Sequence, residues 1–299
     1  MKILAGFKVI IFVSVAAVSG CAHSSEINSE KKVNQPESAA DETGALFIIG
    51  GGSRPESMMM RMIEEADIED DDLVVILPMS GSDPQASGKS HVEEFTGYGL
   101  SNVHSIIFTE DESPAASQLD SLRKAGMIYI PGGSQRRFMN TVRDTDVFEA
   151  LHEIHQGGTL IGGTSAGAAV MSDKMITGTE LRADEYYATF RRLEQDNIEI
   201  ETGIGFLDSA LIDQHFVWRA RNNRLLTGIL EFPHLVGIGI DESTAILVRG
   251  DKAEVVGKSQ VLVYRNPDES QYVGQNDKFG ARNLRIDVYL DGEEFEISR

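Results

Sequence analysis

Cysteine is all but missing from this chain of 299 residues, Cys21 being the only one. That excludes an intramolecular disulfide, a thiolate metal cluster and a cysteine nucleophile in the main domain. Positive charge is also scarce. The 27 lysines and arginines face 47 acids, for a formal charge of -20. Such a balance argues against nucleic acid as the ligand, because neutralising phosphates takes clustered cations, and it is compatible with a basic or zwitterionic substrate. No His/Asp/Glu cluster has metal-ligand spacing. The glycine triplet in GGGSRPES (50 to 57) fits neither G-x-G-x-x-G nor a P-loop, so a nucleotide site has little support.

The N-terminus accounts for the single cysteine. MKILAGFKVIIFVSVAAVSGC carries Lys2 and Lys8, then the apolar run Val9 to Val18, then small residues before Cys21. The run is too short for a bilayer core, which needs roughly 20 residues, but it suits the h-region of an export signal. VSGC resembles the bacterial lipobox. The expectation is a lipoprotein signal peptide over 1–20, lipidation at Cys21, and a flexible tether over 21–44, which is polar and without apolar periodicity. The alternative is an ordinary secretory signal with Cys21 incidental. On the lipobox reading the mature protein is exported and lipid-anchored to a bacterial membrane, on the periplasmic or cell-surface face.

The chain is 41% hydrophobic, enough for one sizeable core, which places a single catalytic domain over 45–299. Apolar runs at 45–49, 73–78, 103–108, 127–130 and 159–163 read as buried strands. Helical candidates lie between them at Glu56–Ala66, His91–Tyr98, Ala115–Ala125 and Gln135–His155. The alternation predicts parallel pairing with right-handed crossovers. Strand-and-turn signals dominate after 252, so the expected fold is an α/β three-layer sandwich with a mostly parallel central sheet and C-terminal antiparallel strands. The run Met58-Met59-Met60 reads as core filling.

GGTSAG contains G-x-S-x-G at Gly163 to Gly167, after a strand and before a helix. That context is a nucleophile elbow, whose strained turn needs glycine beside the serine. Ser165 is the candidate nucleophile, and the amide of Ala166 points toward a developing oxyanion. The competing reading is an anion-binding helix start. PGGSQ at 131–135 ends another strand, and its backbone amides, Gly133 in particular, could complete the oxyanion hole while Gln135 orients substrate. Among the histidines, His91, His104, His152, His155 and His234 have unremarkable neighbours. His215 ends the strand-like run ALIDQHF on the expected catalytic rim, which makes it the candidate base. Arg219, Arg221 and Arg224 follow it and would suit a substrate carboxylate, unless they form a solvated helix face.

GGTSAGAAVMSDKMI, LIDQHFVWRARNNRLL and GIGIDESTAILV together resemble the cyanophycinases, a group within the serine peptidase family that also includes the aspartyl dipeptidase peptidase E. The most specific part is DQHF followed by R-x-R-x-x-R. The resemblance implies a flavodoxin-like, class I glutamine amidotransferase-like fold, with Ser165 as nucleophile, His215 as base, and Gln135, Asp213, Gln214, Arg219, Arg221 and Arg224 lining the substrate pocket. It also implies an acidic triad member between serine and histidine, where Glu180 in ITGTE is the nearest match and Asp184 or Glu185 the alternatives. The implied substrate is cyanophycin, poly-aspartate with arginine on each β-carboxyl group, cleaved to β-aspartyl-arginine without metal or organic cofactor. Asp213 is expected to face a guanidinium and the arginines to face carboxylates. The other readings are a dipeptidase or amidase for aspartyl or β-aspartyl peptides, and a catalytically idle peptide-binding lipoprotein. Oligomeric state is left open, a homodimer included.

Overall fold

The computed structural model describes residues 43–69, 71–182 and 190–298. Cys21, the signal and most of the tether lie outside the described residues, as do Asp184 and Glu185. Five parallel strands form the heart of the first sheet: β1 (Leu46–Ile49), β2 (Leu73–Ile76), β3 (Val103–Ser105), β4 (Ala125–Ile130) and β5 (Leu160–Thr164). They lie in the order β1-β5-β4-β2-β3. The helices α1 (Glu56–Glu65), α2 (Pro84–Gly97), α3 (Ala116–Arg123), α4 (Gln135–Val142), α5 (Asp146–Gln156) and the short α6 (Ala166–Ala169) link or follow these strands.

Strand composition explains the layering. A strand buried on both faces reads as a continuous apolar run, and LFII of β1 is such a run. Its alternate residues divide between two cores: Leu46 and Ile48 pack in one, Phe47 and Ile49 in the other with Met58, Met59 and Met62 of α1. Each such side chain taken from water contributes about 1.5–3 kcal/mol. Met60, the third of the methionine run, is only half-buried.

The helical stretch predicted over 135–155 is two helices. Arg143 leaves the helical region at φ -60°, ψ 137°, Asp144 has φ 59°, and the Thr145 hydroxyl accepts the Val147 amide to cap a new start. The helix predicted from His91 begins earlier, at Pro84, because Asp83 caps it by accepting the Ala86 amide and proline suits the first turn.

The later strands divide between two sheets. Strands β6 (Lys174–Glu180) and β7 (Ile198–Thr202) form a separate antiparallel pair. Strands β8 (Ala210–Gln214) and β9 (Val236–Ile240) run parallel, with helix α7 (Asn222–Glu231) between them in sequence. From β9 the chain crosses into the first sheet, where β10 (Thr244–Arg249) pairs antiparallel with β1 and β11 (Lys252–Gly257) pairs with β10. It then returns: β12 (Val261–Arg265) joins β9, and, after the small hairpin β13 (Tyr272–Val273) and β14 (Phe279–Gly280), β15 (Arg285–Tyr289) joins β12. Last, β16 (Glu294–Glu296) completes the first sheet on β11. The result is mixed α/β, with a large, mostly parallel central sheet of eight strands and a second sheet of four. Among the described residues no helix is long and apolar enough to cross a membrane.

Candidate active site

Two strand ends build the site. Pairing of Ile49 with Thr164 in the first sheet sets Ser165 beside the start of the glycine triplet, and the Ser165 amide donates to Ile49 O at 3.0 Å. Pairing of Gln214 with Ile240 in the second sheet brings His215 level with Asp241 and Glu242. The His215 amide donates to Gly50 O at 2.6 Å and so ties the two ends together.

Ser165 sits at φ 53°, ψ -105° between β5 and α6, a conformation that costs an ordinary residue of order 1–3 kcal/mol and persists only when its surroundings enforce it. The glycines around it are required by contact. A Cβ on Gly163 would stand 2.6 Å from Gly167 O, and one on Gly167 would stand 2.0 Å from Ile130 O. Gly132 opens the space next to the nucleophile: its Cβ would be 3.3 Å from Ser165 Cβ and 3.8 Å from Oγ. The Cβ position of Gly133, at φ 146°, faces Ser80 O instead. Ala166 is the first residue of α6, so its amide has no carbonyl within its own helix to bind.

Ser165 Oγ lies 2.9 Å from His215 Nε2, and His215 Nδ1 lies 2.6 Å from Glu242 Oε1. With Nδ1 carrying the proton donated to the carboxylate, Nε2 is left as acceptor for the serine hydroxyl. Burial pulls the His215 pKa below its ordinary value, the Glu242 hydrogen bond pushes it back up, and Arg219 and Arg221 lower it again. The ring is neutral near pH 7 and able to take a proton. Three other histidines are engaged elsewhere: His91 bonds Ser87 O, His104 bonds Asn102, and His152 bonds Ile204 O.

The carboxylate on His215 is therefore Glu242, on the crossover from β9 to β10, and not Glu180. Glu180 ends β6 and is buried. Burial raises its carboxyl above the ordinary range, with Arg192, Asn197 and Arg224 acting against that. The order along the chain is serine, histidine, acid. A signal for Glu242 was present in GIGIDE, an apolar strand ending in two acids just as ALIDQH ends in histidine.

The glycine triplet has its explanation here too. A Cβ on Gly51 (φ 101°) would be 2.4 Å from His215 Cε1, and one on Gly52 (φ 71°) would be 2.6 Å from Glu242 Cβ. GGG is the seat on which the histidine and its acid rest.

The predicted pocket residues are partly spent on one another. Asp213 is 1% exposed and held in a two-point ion pair by Arg224, through Nε at 2.7 Å and through Nη2. It faces a guanidinium, but one from its own chain. Arg221 donates to Gln214 O at 2.7 Å and to Gln214 Oε1, and lies 3.8 Å from Asp213. The Gln135 amide nitrogen donates to Ile176 O and Thr177 O at 2.9 and 3.0 Å, fastening β6 to α4. Arg219 is exposed and has no carboxylate partner among the described residues. Trp218 beside it is 75% exposed, with its backbone amide bound to Asp241. No group of acids, histidines or cysteines among the described residues could hold a metal ion.

A sequence model for peptidase family S51 matches residues 46–256, a stretch that contains Ser165, His215 and Glu242. The chain belongs to peptidase family S51. It is 31% identical over 232 residues to the cyanophycinase of Nostoc sp., covering 75% of both chains, and 29% identical over 235 residues to that of Synechococcus elongatus, covering 76% of this chain and 70% of that one. Among solved structures, a peptidase from an acI-B1 Actinobacterium superposes with a TM-score of 0.58 at 20% identity, over 86% of this chain and 98% of that one. That likeness concerns the fold. Family membership makes this S51 chain a serine peptidase.

Proposed function

We propose that this peptidase hydrolyses cyanophycin to β-aspartyl-arginine, with Ser165, His215 and Glu242 as its catalytic triad. The observation that carries the reading is the hydrogen-bonded chain Ser165–His215–Glu242 standing next to the R-x-R-x-x-R series. Similarity to the cyanophycinases supports the substrate.

In this mechanism Ser165 Oγ attacks the scissile carbonyl and gives its proton to His215 Nε2. Glu242 keeps the Nδ1 proton in place and stabilises the imidazolium that forms. The Ala166 amide, with backbone from 132–133, donates to the oxyanion. Collapse breaks the C–N bond, the proton on Nε2 passes to the leaving amine, and an ester on Ser165 remains. Water, deprotonated by the same histidine, then hydrolyses the ester. Arg219, the exposed cation of the series, binds a substrate carboxylate. The buried Asp213–Arg224 pair holds the pocket wall.

The test is incubation of the domain lacking residues 1–43, beside Ser165→Ala, with purified cyanophycin. Mass spectrometry is expected to find β-aspartyl-arginine with the wild type and none with the variant. Cleavage of small aspartyl peptides but not the polymer would transfer the reading to a dipeptidase. We further propose that the chain is exported and anchored through lipid on Cys21. The intact mass of the mature protein should then correspond to cleavage before Cys21 plus a diacylglyceryl group, and a protein lacking that added mass would remove the anchor.

A further inference from the structure

Helix α7 begins at the arginine series and ends at Glu231, on the wall of a cavity of about 500 Å3 that the hydrolytic machinery does not use. That size is ordinary for a small-molecule site, roughly 300–1,000 Å3. Gln195, Asp196, Glu231, Gln271, Tyr272 and Phe279 are among its walls, and no lysine or arginine is among the described residues that line it. Glu231 Oε1 is buried without a hydrogen-bond partner, so one acceptor of a carboxyl is left unsatisfied. Burial holds that carboxyl up at about 7, with the charge of Asp196 adding to the rise, while the Asp196 and Asn197 amides and Arg182 act against it. The last turn of α7 contains no basic residue, so no cation of its own helix offsets the negative end of the dipole; Lys174 reaches its C-cap from outside, with Nζ 5.0 Å from the Phe232 ring centroid. Tyr272 is 56% exposed and, with Phe279, offers aromatic surface beside the acids.

This combination selects a flat cation. A guanidinium has donors for Glu231, Asp196 and the glutamine carbonyls, and a face that lies against an aromatic ring. An ammonium carries the same charge but has neither the planar face nor the forked donors. We propose that the cavity is a second, non-catalytic site that binds an arginine side chain of the polymer away from the bond being cut. This rests on the cyanophycin reading above, since that polymer presents an arginine at each residue. Glu231 is seven residues beyond Arg224 on α7, which at ~1.5 Å per residue is about 10 Å along the axis. Three residues of extended backbone span a comparable distance at ~3.3–3.6 Å each. Tyr272 and Phe279 come from the β13–β14 hairpin, beyond residue 256 where the family match ends. A second attachment point raises the local concentration of polymer at the active site without any new contact there.

Two measurements test the site. In the first, KM is determined for cyanophycin and for a soluble substrate of two β-aspartyl-arginine units, with Glu231→Gln and Tyr272→Ala. Glutamine keeps an acceptor for the Asp196 and Asn197 amides and removes only the charge. The ratio of polymer KM to two-unit KM is expected to rise about fivefold in each variant, and an unchanged ratio overturns the proposal. In the second, agmatine is titrated calorimetrically into Ser165→Ala and into the Ser165→Ala/Glu231→Gln double variant. Binding that weakens at least tenfold in the double variant supports the site, and identical isotherms overturn it. If the wild type cuts no cyanophycin but agmatine binding still depends on Glu231, the substrate reading fails and the guanidinium site stands.

Discussion

Replacing Glu242 by glutamine removes one charge and almost no volume, and it separates this carboxylate from every other acid near the site. In the native protein Glu242 accepts from His215 Nδ1 at 2.6 Å, the short distance of a charge-assisted bond. The glutamine amide can instead donate to Nδ1, which fixes the wrong tautomer and turns a donor toward Ser165. The imidazolium formed during attack would also face Arg219 and Arg221, which already lower the histidine pKa, with no anion to offset them. Loss of the equivalent carboxylate in another serine protease costs about 10⁴ in kcat, or ~5.4 kcal/mol at ~1.36 kcal/mol per decade. The Glu242 side chain is 24% exposed, so part of this is softened by water, and a loss of about 10³ is expected. The assay need not assume a substrate: the rate at which a fluorophosphonate labels Ser165, followed by intact-protein mass spectrometry, reports serine activation directly. Glu180→Gln is the partner experiment and should label within about twofold of wild type. The reasoning is refuted if Glu242→Gln keeps more than a tenth of the labelling rate while remaining folded, or if Glu180→Gln loses as much.

Because burial pulls the His215 pKa below the usual value of about 6.5, labelling should fall on acidification with its acid limb centred below about 6.5; a limb centred above that value would contradict the direction. Gly51→Ala puts a methyl 2.4 Å from the His215 ring at a φ of 101°, so labelling should drop about 100-fold from misplacement and urea unfolding should show a loss of about 1–3 kcal/mol. Asp213→Asn leaves the Arg224 guanidinium buried against a neutral partner, with Arg221 nearby. Removing one partner of a buried pair costs about 3–5 kcal/mol, so the urea midpoint should fall accordingly, and a change below about 1 kcal/mol would show that the pair is not what holds the pocket wall.

The parallel half of the fold was legible because its strands are buried on both faces and separated by helices of ordinary length. ALFII, LVVILP and MIYI can be little else. GGTSAG was legible for a different reason, since few surroundings other than an elbow demand glycine on each side of a serine. The division of the later strands between two sheets was not legible. LVGIGI and TAILV are adjacent in sequence and equally apolar, and nothing in either says that one pairs with β8 and the other with β1. Glu242 was missed through the same gap, because its place depends on the chain changing sheets between those two runs. Asp213 was given to a substrate guanidinium since a rim aspartate beside arginines suits either partner; its burial, which sequence does not show, awards it to Arg224. Apolar periodicity runs unbroken through 135–155 and hides the break, although Thr145-Asp146 carries a capping signal inside it.

The change of sheets is also what makes the site rigid. Serine and glycine triplet belong to the first sheet, histidine to the second, and the acid to a segment, 241–243, that passes between them. Asp241, in that segment, accepts from the Trp218 amide at 2.8 Å and from the Ser259 hydroxyl at 2.6 Å, while Ser243 donates its amide to Gly51 O at 2.9 Å. Each triad member is thus attached to the sheet that carries another. A displacement of one sheet against the other cannot move His215 from Ser165 without also straining the crossover that holds Glu242. The glycines at 50–52 permit that density of contact, since side chains there would fall on Asp241, His215 and Glu242 in turn. A triplet that sequence motifs could only place among failed nucleotide loops is, in the folded chain, the surface on which two sheets meet closely enough to align three side chains.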